Sequence, residues 1–239
     1  MIASERVVAV IPARGGSKSV PLKNLHPVGG RPLLEWTIAV AKATPQIDRV
    51  IVSTDHDRIA ETAIAAGAEV SRRPDHLSGD AALTADMLRH LIATLRTEGE
   101  DARYLTLLEP TAPFRLPEDV SACLEMLHGQ SLDSVATFME ADLNPHRAWT
   151  IEDGIARPFI AGAVPWMPRQ ALPPAHQLNG AVYAFVADRL TGEGPAVLFG
   201  RSGAVMMDKT RSFDIDDARD FAVAEALLKT GAVSLGPPS

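Results

Sequence analysis

The chain has 239 residues, 46% hydrophobic and 22% charged, with a formal net charge of -7. That is enough length for a substantial core, and the balance is ordinary for a soluble globular protein. The acidity argues against a general nucleic-acid binder while leaving room for a local basic pocket. No apolar run approaches the ~18 residues of a membrane helix, so no membrane partner is expected. Met1–Arg6 followed by the short run Val7–Ile11 lacks the design of a signal peptide. A single cysteine, Cys123, rules out an intrachain disulfide and fits a cytoplasmic location.

The first predicted element is a buried strand, Val7–Ile11. The loop Ile11–Asn24 follows, with Gly15, Gly16, Ser17, Arg14, Lys18 and Lys23 within ten residues. Glycines let backbone N–H groups turn toward an anion, and the cations add full charge. Two readings stay open for the loop, a polyphosphate cradle or a solvated connection with incidental charges. It matches neither a Walker A loop nor a Rossmann glycine fingerprint, and it is not a nucleophile elbow. Next come a helix over Leu33–Ala43, a strand over Val50–Val52 ending in Ser53–Thr54–Asp55, and a helix from Asp57 to Ala66 stopped by Gly67. Arg72–Arg73–Pro74, after a short strand, reads either as a solvated edge or as a base contact.

A helix over Ala82–Arg96 precedes the strand Tyr104–Leu108, which runs into Glu109–Pro110–Thr111. The helix Leu116–Leu127 carries Cys123 on its apolar face, which suits a core residue better than a nucleophile. Ser134–Phe138 is strand-like. This alternation predicts an α/β fold, a Rossmann-like, mostly parallel sheet with helices on both faces. In such sheets ligands bind beyond the carboxyl ends of the strands, so the polar strand tails belong at one site.

The rhythm breaks over about 140–178, a proline-rich stretch with Trp149, Phe159 and Trp166 and a hairpin turn at Glu152–Asp153–Gly154. A lone hairpin is marginal in water, so this part reads as a small protruding arm within one domain of residues 1–239, packing against a second subunit. Strands over Gly180–Phe185 and Ala204–Met207 and a helix over Asp217–Lys229 complete the order, with Gly236–Ser239 as a tail. In Phe213–Asp214–Ile215–Asp216 the side chains alternate, so Asp214 and Asp216 project together. Two such carboxylates suit Mg²⁺, or cap the last helix; Asp217 is the better cap. The histidines show no zinc spacing. Arg169 either grips a carboxylate or is solvated.

The ordered set of motifs resembles the acylneuraminate cytidylyltransferases, or CMP-sialic acid synthetases. The matching stretches are Ile11–Asn24, Ile51–Asp55, Arg73–Pro74 with Asp80, Leu107–Arg115, Pro168–Gln170, Asn179–Tyr183 and Phe213–Asp216. The resemblance implies a homodimeric enzyme that joins CTP to a nonulosonic sugar acid with Mg²⁺, releasing pyrophosphate. It implies that Ala13, Arg14, Gly15, Gly16, Ser17, Lys18, Lys23, Asn24, Arg73 and Asp80 bind the nucleotide. Arg14, Lys23 and Asp216 would be catalytic, and Asp214 and Asp216 would hold the metal. Glu109, Arg169, Gln177, Asn179 and Tyr183 would face the sugar. Glu109, Ala112 and Gln177 depart from the glutamine, serine and arginine common in sialic-acid enzymes. The nucleotide half is intact and the sugar half altered, which points to a sugar other than N-acetylneuraminate. A related sugar nucleotidyltransferase and a non-catalytic nucleotide-binding protein on the same fold are the alternatives.

Overall fold

The computed structural model describes residues 2, 4–191 and 194–237. Met1 and Ala3 of the N-terminal stretch, and Pro238 and Ser239 of the expected tail, lie outside them. In chain order the strands are β1 (Val7–Pro12), β2 (Pro27–Val28), β3 (Arg31–Pro32), β4 (Arg49–Thr54), β5 (Glu69–Arg72), β6 (Tyr104–Leu107), β7 (Ser134–Glu140), β8 (Trp149–Glu152), β9 (Ile155–Pro158), β10 (His176–Val186) and β11 (Ser202–Met206). The α-helices are α1 (Leu33–Ala43), α2 (Asp57–Ala65), α3 (Thr84–Thr97), α4 (Pro117–Gly129) and α5 (Ala218–Lys229).

Seven strands form one sheet in the order β11-β7-β10-β6-β1-β4-β5. All pairings are parallel except those of β10, which runs against both β6 and β7. Val7–Ile11 is buried on both faces, as a central parallel strand must be. Alternate residues of β1 pack on opposite faces of the sheet. Val7, Ala9 and Ile11 pack with α1, α2 and α4, whereas Val8 and Val10 pack with Leu88, Leu91 and Leu95 of α3. No described helix is long and apolar enough to cross a membrane.

From β1 the chain moves to β4 and β5 on one side, then returns to β6 on the other. A crevice opens at such a reversal, beyond the carboxyl ends of the strands. The tails of β1, β4, β5 and β6 all end there, and antiparallel β10 begins at the same edge. β10 starts four residues earlier than the expected Gly180, at His176. Its register shifts between Leu178 and Tyr183, and Gly180 there has φ +72. This irregularity hides the strand's first half from a period-2 pattern.

β8 and β9 form a separate antiparallel pair. Their two-residue turn is Asp153–Gly154, both at positive φ, as the twist of a tight hairpin requires. Ile151 (73% exposed), Phe159 (65%) and Trp166 (83%) stand in solvent. The hairpin and the segment after it thus present bare apolar side chains.

Candidate active site

The loop after β1 lies against β4. Ala13 donates its backbone N–H to the Ser53 carbonyl at 3.0 Å, and Gly15 donates to Asp55 Oδ1 at 2.8 Å. A Cβ on Gly15 would sit 2.7 Å from the His56 ring, so only glycine lets the loop approach this closely. Gly16 has open space around it. Beyond the turn, Asn24 is buried and Lys23 reaches across the cleft. Its Nζ donates to the Ile215 carbonyl at 2.9 Å and lies 3.8 Å from Asp216 Oδ1.

A cleft of ≈ 420 Å³ is lined by Arg14, Ser17, Lys18, Lys23, Asn24, Arg73, Asp80, Glu109 and Asp216. Most of the expected nucleotide residues therefore meet at one place. Ala13, Gly15 and Gly16 support the loop without lining the cleft. Arg73 points inward, its guanidinium donating to the Ser53 carbonyl (2.9 Å) and hydroxyl (3.3 Å). Desolvation lowers its pKa from the usual arginine value, opposed by Asp55. Arg72 points outward to Asp57 at 2.7 Å, which is the solvated-edge reading, while Arg73 lines the cleft. Asp80 bridges two loop cations, Lys18 Nζ at 2.9 Å and Arg14 Nη1 at 3.0 Å. Their hydrogen bonds hold its carboxyl below the usual range.

An adjoining hollow of ≈ 680 Å³ is lined by Gln177, Asn179, Tyr183, Lys209, Asp214 and Asp216 among others. Asp216 belongs to both cavities. Asp217 caps α5, accepting from the backbone of Arg219 and Asp220, which leaves the Asp214 and Asp216 carboxylates out of the capping role. Asp214 has a raised pKa, chiefly from desolvation between the cleft walls, with further repulsion from Asp216 and against a hydrogen bond from Thr111. Among the described residues, no three acidic, histidine or cysteine side chains cluster as a complete metal cage. Two mutually repelling carboxylates, one of them on the cationic cleft, nonetheless fit Mg²⁺, which binds through one or two carboxylates plus substrate phosphates and waters.

Three expected sugar residues lie elsewhere or are otherwise engaged. Glu109 faces the cationic cleft rather than the adjoining hollow, because it sits at the end of central β6. Burial, then Asp214, pushes its carboxyl up to about 7, while Arg115, Arg73 and Lys23 oppose the shift. It keeps a partial opening to the cleft. Asn179 is buried and its amide is committed within the protein. The amide oxygen accepts from Thr137 Oγ1 (2.6 Å) and the Ala181 N–H (3.2 Å), and the nitrogen donates to Ser212 Oγ (2.9 Å). A buried amide needs such partners, so Asn179 braces the wall of the hollow. Arg169 lies in a third hollow, paired with Glu140 at 2.5 Å, because the chain leaves the sheet there to form the arm. Gln177 does line the adjoining hollow, with its amide oxygen tied to the Asp142 N–H at 2.9 Å. Tyr183 lies there too, and burial pushes its hydroxyl up to about 12.

Sequence reasoning assigned no role to Arg115, which is 1% exposed. It donates to the carbonyls of Glu109 and Ala181 and to Thr37 Oγ1, each at 2.6 Å. One side chain thus ties the β6 tail to β10 and α1. Burial lowers its pKa to about 10, against the pull of Glu109, Asp119 and Asp214. Cys123 is buried in the core as expected, and burial raises its thiol pKa.

A family model described as Cytidylyltransferase matches residues 8–180. The chain belongs to the cytidylyltransferase family. The "Post-translational flagellin modification protein B" of Campylobacter coli is 30% identical over 228 residues, covering 93% of this chain and 95% of that protein. The "CMP-N,N'-diacetyllegionaminic acid synthase" of Legionella pneumophila is 29% identical over 236 residues, covering 96% and 99%. An "N-acylneuraminate cytidylyltransferase" of Streptococcus agalactiae is 31% identical over 217 residues, 90% of this chain, and the match spans 51% of that longer relative. A "CMP:2-keto-3-deoxy-manno-octonic acid synthetase" complexed with CTP superposes with a TM-score of 0.69 at 19% identity, covering 95% of this chain and 100% of that one. This last likeness places this cytidylyltransferase on the same fold. The matched span runs from β1 to Gly180, and so contains every lining residue of the cationic cleft except Asp216.

Proposed function

We propose that this cytidylyltransferase activates a nonulosonic, sialic-acid-like sugar acid with CTP, giving a CMP-sugar and pyrophosphate. The observation that carries the proposal is that Asp216 lies between a cationic cleft and a second hollow of ligand size. A triphosphate in the first and a sugar in the second would meet at that carboxylate. The sugar's anomeric hydroxyl oxygen would form the new bond to the α-phosphorus as the α–β phosphoanhydride bond breaks and the hydroxyl proton is lost. Phosphoryl chemistry of this kind is mainly positioning and charge neutralisation.

Arg14 and Lys18 would hold the phosphates, Lys23 the departing pyrophosphate, and Arg73 the base. Asp214 and Asp216 would hold Mg²⁺, which supplies charge neutralisation and orients the phosphate oxygens when bound. Lys23, fixed on the Ile215 carbonyl, keeps the loop and the acidic segment at one spacing. The bare apolar hairpin supports a homodimer, in which the arm of one protomer would carry Arg169 toward the sugar hollow of its partner. The cytoplasm is the proposed compartment, in line with the cysteine usage.

Gln177, which lines the proposed sugar hollow where sialic-acid enzymes commonly have arginine, supports a sugar other than N-acetylneuraminate. The near full-length likeness to a protein named for N,N'-diacetyllegionaminic acid favours that type. Pyrophosphate release is to be measured with CTP, Mg²⁺ and each of N-acetylneuraminate, N,N'-diacetyllegionaminate and 3-deoxy-manno-octulosonate. Preference for the legionaminate is expected. Preference for N-acetylneuraminate overturns the sugar assignment, and preference for the octulosonate selects the related-enzyme alternative. CTP binding without release for any sugar overturns the enzyme reading.

A further inference from the structure

The acidic segment that carries Asp214 and Asp216 has no sheet or helix to hold it. Residues 207–216 lie between β11 and α5 without regular structure. A carboxylate pair on such a segment is useful only if other contacts define where it stands. Several anchors do this, the Lys23 bond to the Ile215 carbonyl among them, and they leave Asp214 and Asp216 facing the cavities. Ser212 Oγ accepts from Asn179, Phe213 stacks at a tilt 6.4 Å from Phe114, and the Ile215 N–H donates to the Thr111 carbonyl at 2.9 Å. A further anchor is a two-pronged charged pair, whereas the segment's ion pairs of Lys209 with Asp142 (2.5 Å) and Asp216 with Lys23 (3.8 Å) each rest on one contact. Arg211 Nη1 and Nη2 grip Asp119 Oδ2 and Oδ1 at 2.5 and 3.0 Å.

Asp119 is itself fixed. It is buried in the first turn of α4, where Oδ2 also accepts the Leu116 N–H at 2.8 Å. Arg211 is mostly covered. A two-pronged guanidinium–carboxylate bond defines direction as well as distance. Arg211 stands three residues before Asp214, so any freedom at Arg211 is passed to the Asp214 carboxylate along a very short stretch of chain. No motif in the sequence singles out either residue.

We propose that Arg211 and Asp119 form a positioning clasp that sets the Asp214–Asp216 carboxylates for divalent cation binding at the nucleotide. The proposal rests on the Mg²⁺ reading given above. Residues that orient metal ligands typically alter metal affinity roughly 10- to 100-fold when removed. The clasp acts on the metal and not on the triphosphate grip, which is built from the loop after β1.

The test is calorimetric titration of CTP into the full chain, with and without Mg²⁺. The ratio of the two affinities reports the coupling of metal to nucleotide, independent of turnover. In Arg211→Met and Asp119→Asn, CTP affinity without Mg²⁺ is expected to stay within about twofold of the parent while the Mg²⁺ enhancement falls roughly tenfold. The double variant should lose no more than either single one, because the two residues act through one contact. Arg211→Lys, which keeps the charge but not the fork, should fall between. If Arg211→Met fails to fold, Asp119→Asn decides, since its amide oxygen can still cap α4. Full Mg²⁺ enhancement in Asp119→Asn or a folded Arg211→Met, even with a lowered Tm, overturns the clasp. Full enhancement in Asp216→Asn overturns the metal reading itself, and the clasp's purpose with it.

Discussion

Lys23 Nζ donates to the backbone carbonyl of Ile215, 192 residues later in the chain, at 2.9 Å. This bond joins the basic loop after β1 to the acidic segment before α5. The two halves of the proposed catalytic apparatus therefore share a strut, and its cation also sits beside the Asp216 carboxylate.

Lys23→Met should remove both the strut and the charge. Loss of one pre-placed donor to transition-state charge typically lowers kcat by ~10²–10³. Steady-state pyrophosphate release should show that fall with little change in Tm, because Lys23 borders the cleft. A KM effect alone, with kcat intact, would assign Lys23 to ground-state binding.

Asp80 pairs with Arg14 and Lys18 in the free protein, and would compete with the phosphates they are proposed to hold. Asp80→Asn should tighten CTP binding several-fold at low salt, and the advantage should shrink as salt screens the site. Calorimetry at two ionic strengths checks this. Weaker binding in the variant would show that Asp80 contacts the bound nucleotide complex instead.

Glu109 gives a pH signature. Its carboxyl is raised from 4.5 to about 7 in the folded protein. Between those values the folded state holds a proton that the unfolded state releases, so stability falls as pH rises through this window. The loss is complete above about pH 7 and amounts to about 1–3 kcal/mol. Glu109→Gln should flatten that slope and unfold at higher denaturant at pH 8 than the parent. Urea unfolding at pH 5 and pH 8 measures it, and parallel slopes in the two proteins would contradict the assignment.

Arg115→Met leaves the Ala181 and Glu109 carbonyls without their donor and removes the cation that most opposes the raised pKa of Glu109. Breaking a buried charged contact costs about 3–5 kcal/mol, which for a chain of this size lowers Tm by roughly 6–20 °C. Differential scanning calorimetry reads the shift; a change under about 2 °C would mean the three bonds contribute little.

Local pattern was enough for most of the architecture. Continuous apolar runs such as Val7–Ile11 and amphipathic stretches such as Asp57–Ala66 declare their period within a few residues. The parallel sheet and the location of a cleft at the strand ends follow from that alternation. The gathering of cations at one cleft was equally legible, because Arg14, Lys18 and Lys23 crowd one short segment of an acidic chain. Asp217 was readable as a cap because capping depends only on its own helix.

Side-chain allegiance was decided by the tertiary structure. Asn179 looked like a sugar contact, yet the register shift in β10 buries it against Thr137 and Ser212. Arg211 resembles any surface arginine in sequence and Arg115 only closes a matching stretch, and the fold alone brings Asp119 and the Ala181 carbonyl, 92 and 66 residues away, into their reach. Arg169 and Glu140 meet 29 residues apart at the base of the arm. The physical reason is one of range. Periodicity and capping are set within a turn or a strand, whereas hydrogen bonds and charge pairs depend on which distant segments the sheet order makes neighbours.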